Sequence, residues 1–307
     1  MNDLTKELVN LIGNAEDVLL EEPMSKHTTF RTGGNADFFI SLNKNNITNL
    51  PKVLKFAKDN NLPYLFIGNG SNVLFSDNGF RGIVFLLKSL DDYEIFDDYV
   101  YASSGISLSR LSKIFQENGI TGLEFACGIP GTLGGAIFMN AGAYGGEIKD
   151  IVLEVQYLDL NDMQIHTLTN EELEFDYRKS IFQTKIKDAL IINAKLKKVM
   201  GDKEKIKETM DMNMESRNLK QPVSLPSAGS TFRREEGIIV AKLIDEAGLK
   251  GYSIGGAEVS TLHAGFIVNK NNATTKDILD LINYVKKVIK EKYNVELHEE
   301  VRIIGEK

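Results

Sequence analysis

Four groups of residues in this chain have types and spacings suited to chemistry. The first is glycine, in two clusters. GNGSN (68–72) stands where an apolar strand ends, and GIPGTLGGAIFMNAGAYGGE (128–147) sets glycines among Ile129, Leu133, Ile137, Phe138 and Met139. A flexible linker would be polar and Gly/Ser-rich. Glycine in so apolar a segment instead permits positive φ or close approach of backbone to a ligand. Ser71 and Asn72 add side-chain donors, and neither cluster contains lysine, so the pair reads as loops that hold a diphosphate mostly by main chain. The GxxxxGK[ST] phosphate loop is absent, and the GxGxxG fingerprint fails at Val73. The second group is DYRKS (176–180), where Arg178 is a permanent, planar, bidentate cation. Beside Asp176 it reads as a surface ion pair unless a carboxylate ligand claims it. The third is PSAGSTF (226–232), whose Ser230 alone reads as a turn residue or helix cap, with no GxSxG elbow around it. The fourth is EVRIIG (300–305), a charged strand end in which period-two alternation puts Glu300 and Arg302 on one side.

These residues need elements to position them. The N-terminal MNDLTKELVNLIGNAEDVLLEEP reads as an amphipathic helix, unlike a basic-then-apolar signal peptide. A helix follows near 48–60, with Pro51 tolerable in its first turn. Strands are expected in 62–77 and 82–87, hairpins over 93–105 and 151–169, and a capped helix over 107–119. A strand at 189–199 precedes a charged helix, 201–222, and a boundary is placed near 200. The tail reads helix (238–248), strand (264–268), helix (274–292), strand (299–304). The irregular mixing gives an α+β class and argues against a doubly wound sheet. A net charge of −7 argues against non-specific nucleic-acid binding, and no apolar run reaches bilayer-spanning length. One cysteine, Cys127, excludes an intramolecular disulfide and a thiolate zinc cluster, and the four histidines show no ligand spacing. A cytoplasmic, metal-independent protein is expected.

GNGSN, GLEFACGIPGTLGGAIFMNAGAYGGE (122–147), DYRKS, PSAGSTF and EVRIIG occur in that order. Together they resemble the UDP-N-acetylenolpyruvoylglucosamine reductase (MurB) family of bacterial peptidoglycan precursor synthesis, from about residue 20 onward. With only a short GDKEK stretch after the 189–199 strand, the chain resembles the shorter, second type. The resemblance implies a two-subdomain FAD-binding fold of the vanillyl-alcohol-oxidase (PCMH) kind, over 1–60 and 61–200. An α+β substrate-binding domain would occupy 201–307. It implies non-covalent FAD, held by Gly68, Asn69, Gly70, Ser71 and Asn72 in the first loop. Gly128, Gly131, Gly134, Gly135, Asn140, Ala141 and Gly142 would hold it in the second. NADPH would reduce the flavin, and hydride would then pass to the methylene carbon of UDP-N-acetylglucosamine enolpyruvate.

The family's charge stabiliser corresponds to Arg178, its proton donor to Ser230 and its carboxylate-polarising acid to Glu300. Tyr177, Arg217, Gln221 and Arg302 are substrate-binding candidates, although Arg217 and Gln221 read equally as a solvated helix end. His263 reads as a structural histidine, and Cys127 as a buried residue rather than a covalent flavin tether. A monomer is expected. The sequence departs from the family at GSTFRREEG, with Glu235 and Glu236 where proline is usual, which leaves contacts from Arg233 and Arg234 open. Two rival readings are another flavin oxidoreductase on the same fold, using oxygen, and a flavin- or nucleotide-binding module without turnover. The complete set Arg178, Ser230 and Glu300 argues against both.

Overall fold

The computed structural model describes residues 3–234 and 237–305. The α+β class holds, with short strands and helices interspersed. Strands Val18–Pro23, Asn35–Ser41, Phe80–Leu86 and Tyr64–Ile67 form one sheet in that order. The N-terminal reading needs correction: the helix covers only Asp3–Ile12, and Val18–Pro23 is a strand. Gly13, at φ +87, ends the helix after Leu8 and Ile12 have been buried. The residues divide into two compact units: one takes residues up to 19, 40–69 and 84–215, the other 20–39, 70–83 and 216 onward.

The first unit is organised round an antiparallel sheet ordered Ile165–Thr169, Val152–Asp159, Ala189–Lys197, Tyr99–Ser103, Tyr93–Ile95. Both expected hairpins form within it. Its core takes Leu111 and Phe115 from helix Leu108–Glu117, Val155 and Leu196 from the sheet, and Leu133 and Ile137. Ser107 caps that helix by accepting from Arg110 N. Leu133 and Ile137 mark a second correction, because the glycine-rich stretch is not all loop. Leu133–Met139 is a helix, and burying Leu133 and Ile137 overrides the poor helix propensity of Gly134 and Gly135. Asn140 ends it in the left-handed region, at φ 42 and ψ 57, ahead of a small hairpin pairing Gly142–Ala143 with Gly146–Glu147.

In the second unit, strands Ser253–Ile254, Ala257–Val259 and Ile267–Asn269 form an antiparallel sheet beside helices Val240–Glu246 and Thr275–Tyr293. The first two strands are too short to give a period in sequence. Ile244, Val259, Ile267, Ile278, Leu281, Val285 and Leu297 build its core. The Thr275–Tyr293 helix has a Thr274/Asp277 capping box, and Asp77 accepts from the N–H groups of Thr275 and Lys276, both at 2.8 Å. The strand expected at 299–304 begins only at Arg302, and Arg302–Ile304 runs parallel to Val73–Phe75. Glu300 therefore precedes the strand, and the alternation argument that paired it with Arg302 does not apply.

Candidate active site

The two glycine clusters meet in the first unit. Asn69 Nδ2 donates to Pro130 O at 2.6 Å, and a Cβ added to Gly68 would stand 2.2 Å from Thr132 Oγ1. Gly70 is forced for a different reason, within the second unit: its φ is +59, and a Cβ there would lie 2.0 Å from His27 O. Among the described residues the N–H groups of Asn69, Gly70, Ser71 and Asn72 donate to no backbone carbonyl, nor does that of Gly135. Gly135 is also exposed, and the nearest atom to its added Cβ is Thr132 Oγ1 at 3.7 Å. Among the described residues three buried hydroxyls lack partners: Thr29 Oγ1, Thr32 Oγ1 and Ser104 Oγ. Thr29 N bonds Gly70 O, and Ser104 Cβ lies directly beneath Gly134. In each unit, uncommitted N–H groups and hydroxyls of this kind suit an anionic diphosphate, so the residues fit FAD. Sequence reading missed Thr29, Thr32 and Ser104; a hydroxyl pair just ahead of the Gly33-Gly34 turn was the available signal.

Arg178 sits in a tight turn of the first unit, closed by reciprocal bonds between the backbones of Asp176 and Lys179. Its φ is +53, a costly conformation for so large a side chain. The surroundings hold it there. Asn140 Nδ2 donates to Asp176 O (3.0 Å), and Gln183 Nε2 donates to Arg178 O (3.0 Å) and to Phe138 O (2.7 Å). The guanidinium donates from Nη2 to Gly142 O at 2.9 Å and lies over the Tyr177 ring, 5.2 Å from its centroid. Glu147 is near: burial raises its carboxyl, but bonds from Lys149 and Asn140 and the Lys149 and Arg178 charges outweigh that and hold it below the usual range. Asn140 is fully buried, with its side chain bonded to Asp176, Glu147 and Lys149.

Ser230 and Glu300 come together in the second unit. Ser230 is exposed, after Gly229 at φ +78, and nothing lies within 4 Å of a Cβ added to that glycine. Its neighbour Thr231 is 2 % exposed and anchored: Thr231 N donates to Gly265 O, Thr231 Oγ1 accepts from Ile267 N, and Thr231 O accepts from Glu300 N at 2.8 Å. The GNGSN loop joins the same arrangement, since Asn72 Nδ2 donates to Glu300 O (3.2 Å) and Arg302 N donates to Asn72 O (3.0 Å). The adjacent acids divide their work. Glu299 is ion-paired with Lys286 at 2.9 Å; burial raises its carboxyl, but the bond and charge of Lys286 more than offset that and hold it low. Glu300 is half-buried beside it.

The remaining candidates are scattered more loosely. Arg302 keeps an exposed side chain by surface area, yet enough protein crowds its guanidinium for desolvation to lower it from its usual value. Arg217 and Gln221 sit, half-buried, at the end of helix Lys203–Lys220, with Gln221 N bonded to Arg217 O. His263 braces its own turn: Nδ1 accepts from Gly265 N at 3.1 Å, and burial pushes the imidazole below its usual value. Cys127 is buried, with Sγ 3.7 Å from Met210 O. Glu235 and Glu236, the departure from the family pattern, lie outside the described residues. One group of metal-ligand types not evident from spacing, Asp159, Asp162 and His166, lies along a hairpin, where His166 is already bonded to Asp162 at 2.9 Å. No helix among the described residues is long and apolar enough to cross a membrane.

Comparison with known proteins places the chain in a family. A family model described as UDP-N-acetylenolpyruvoylglucosamine reductase, C-terminal domain, matches residues 221–304, and one described as FAD binding domain matches 44–169. The chain is 45% identical over 305 residues to the UDP-N-acetylenolpyruvoylglucosamine reductase of Staphylococcus saprophyticus, covering 99% of this chain and 97% of that one. It is 46% identical over 303 residues to the protein of the same name from Clostridium perfringens, covering 97% and 98%. The solved UDP-N-acetylenolpyruvylglucosamine reductase (MurB) of Thermus caldophilus superposes with a TM-score of 0.79 at 32% identity, over 94% of this chain and 98% of that one.

Proposed function

The chain belongs to the UDP-N-acetylenolpyruvoylglucosamine reductase family, and we propose that it reduces UDP-N-acetylglucosamine enolpyruvate to UDP-N-acetylmuramate with NADPH, for peptidoglycan precursor synthesis in the cytoplasm. The observation that supports this reading is that the Glu300 backbone bonds both to Thr231 O, in the residue after Ser230, and to the Asn72 side chain at the end of the first glycine loop. On this reading the chain before residue 200 holds the cofactor and 201–307 handles the substrate.

FAD, when bound, supplies the hydride, replenished from NADPH. The loops at Gly68–Asn72 and at Gly128, Gly131, Gly134 and Gly135 would hold its diphosphate by main-chain N–H groups. Hydride arrival at the enolpyruvyl methylene carbon drives an electron pair toward the substrate carboxylate. Arg178, a permanent planar cation on a turn held by its surroundings, meets that charge with little reorganisation as it develops. Glu300 polarises the same carboxylate, which it can do only as the neutral acid or through a bridging group, because two bare anions would repel. Ser230 delivers its hydroxyl proton to the other alkene carbon, a strongly basic centre for which a weak acid suffices. Tyr177, Arg217, Gln221 and Arg302 contact the remainder of the substrate, with Arg302 a suitable partner for its diphosphate.

Rapid mixing tests the whole reading. NADPH should bleach the flavin band of the purified protein, and the enolpyruvyl substrate should restore it far faster than dissolved oxygen does. Reoxidation by oxygen at the faster rate would turn the reading to an oxidase, and absence of a flavin band would end it.

A further inference from the structure

Asn140 belongs to the glycine-rich stretch, yet its side chain is turned wholly inward. It is 0% exposed and caps helix Leu133–Met139 in a left-handed conformation that asparagine tolerates better than other side chains. Both Nδ2 hydrogens are used, one on Glu147 Oε2 (3.1 Å) and one on Asp176 O (3.0 Å), and Oδ1 accepts from Lys149 N (3.0 Å). No donor remains for a cofactor. The backbone of the same residue faces Arg178, whose Nη1 lies 3.5 Å from Asn140 O while Nη2 is bonded to Gly142 O.

Asn140 therefore holds the Arg178 turn at two points, with its side chain on the Asp176 carbonyl and its own carbonyl at the terminal Nη1 of the guanidinium. A large residue at φ +53 keeps that backbone only if its surroundings over-determine it. Asp176 O and Arg178 O tie the turn to side chains outside it, Asn140 and Gln183 respectively.

We infer that Asn140 is a positioning residue for Arg178, setting the direction of the guanidinium toward the substrate carboxylate. The inference rests on the role proposed for Arg178. Displacing a reacting group by about an ångström costs on the order of 10²-fold, so removing the tie should slow the substrate step and spare the others.

Two variants probe it. Asn140→Asp keeps the left-handed backbone and the acceptor for Lys149 N but loses both donors. Asn140→Gly keeps the backbone and loses the whole side chain, without a new charge beside Glu147. With either, flavin content and reduction by NADPH should stay within about 2-fold of wild type, and reoxidation by the enolpyruvyl substrate should fall roughly 10- to 100-fold. Calorimetric binding of substrate to the oxidised protein, which involves no turnover, should weaken by less than about 10-fold, since most contacts remain. The deciding measurement is a double-mutant cycle: in an Arg178→Ala background, Asn140→Gly should slow reoxidation by no more than about 3-fold. Undiminished slowing in that background would overturn the inference and leave the Arg178 role standing. Loss of flavin in step with loss of rate would also overturn it and return Asn140 to the cofactor. Arg178→Ala reoxidising at the wild-type rate would instead remove the Arg178 role, and the inference with it.

Discussion

Ser230 is the residue whose role is cleanest to isolate, because proton donation to the substrate has no part in flavin reduction. Ser230→Ala should take up FAD and be reduced by NADPH at nearly the normal rate, while reoxidation by substrate falls about 10²- to 10⁴-fold. Ser230→Cys should recover part of the loss, as a thiol of pKa about 8.5 still donates. Substrate reoxidation of Ser230→Ala at the wild-type rate would reduce Ser230 to a turn residue and shift attention to Glu300. His263 carries a different prediction. Its folded pKa is depressed by burial, so below about pH 6.5 the unfolded chain binds a proton that the folded one resists. Its contribution is thus complete above that pH and is lost as pH falls toward the depressed folded value. His263→Asn, which offers Oδ1 in place of Nδ1, should flatten the dependence of the urea midpoint on pH between 7 and 5; parallel curves would sink the argument. The order of the motifs is what marked Ser230 and Arg178 as candidates in sequence. What was hidden was the left-handed backbone of Arg178 and the inward commitment of Asn140, since both depend on partners far along the chain, such as Asp176 for Asn140.

Elements were legible where one period dominated. Helix Leu108–Glu117 and the hairpin Val152–Asp159/Ile165–Thr169 lie where caps, turns and alternation placed them. Helix Leu133–Met139 escaped because paired glycines disfavour helix locally, and only burial of Leu133 and Ile137 reverses that. That helix separates two uses of glycine, and substitution should tell them apart. Gly68→Ala drives a methyl onto Thr132 Oγ1 and should destabilise the apoprotein by about 1–3 kcal/mol; adding Thr132→Ala should restore much of the loss. Gly135→Ala has room at 3.7 Å and sits in a helix, so the apoprotein should gain up to about 1 kcal/mol. Its affinity for FAD should nevertheless drop, because the methyl stands where a ligand would approach the backbone. Thermal melts of apoprotein and fluorescence titration with FAD measure the two effects separately. A Gly135→Ala protein that binds FAD normally would mean this glycine serves packing alone.

For the molecule as a whole, flavin retention without a covalent bond is the first expectation to check. Cys127 is buried, with its sulfur against Met210 O, so acid precipitation should leave all the flavin in the supernatant, and flavin remaining on the pellet would point to a tether. The domain layout was less legible than the class, because a linear reading draws boundaries between consecutive segments. Here each unit gathers separated stretches, as when Arg302–Ile304 lies along Val73–Phe75. The pairing of those strands has a bearing on how the protein is made. Asn72 waits for Glu300, 228 positions later, and at about 5–20 residues per second a ribosome needs on the order of ten seconds or more to supply it. Through that interval the GNGSN segment lacks the neighbour that fixes its end, and closing so long a loop slows the last step further. Flavin capture should accordingly follow the synthesis of residue 300 rather than accompany translation of the residues before it. Nascent chains arrested short of residue 300 should show no flavin binding, and quenching of FAD fluorescence by such chains would contradict the sequence of events.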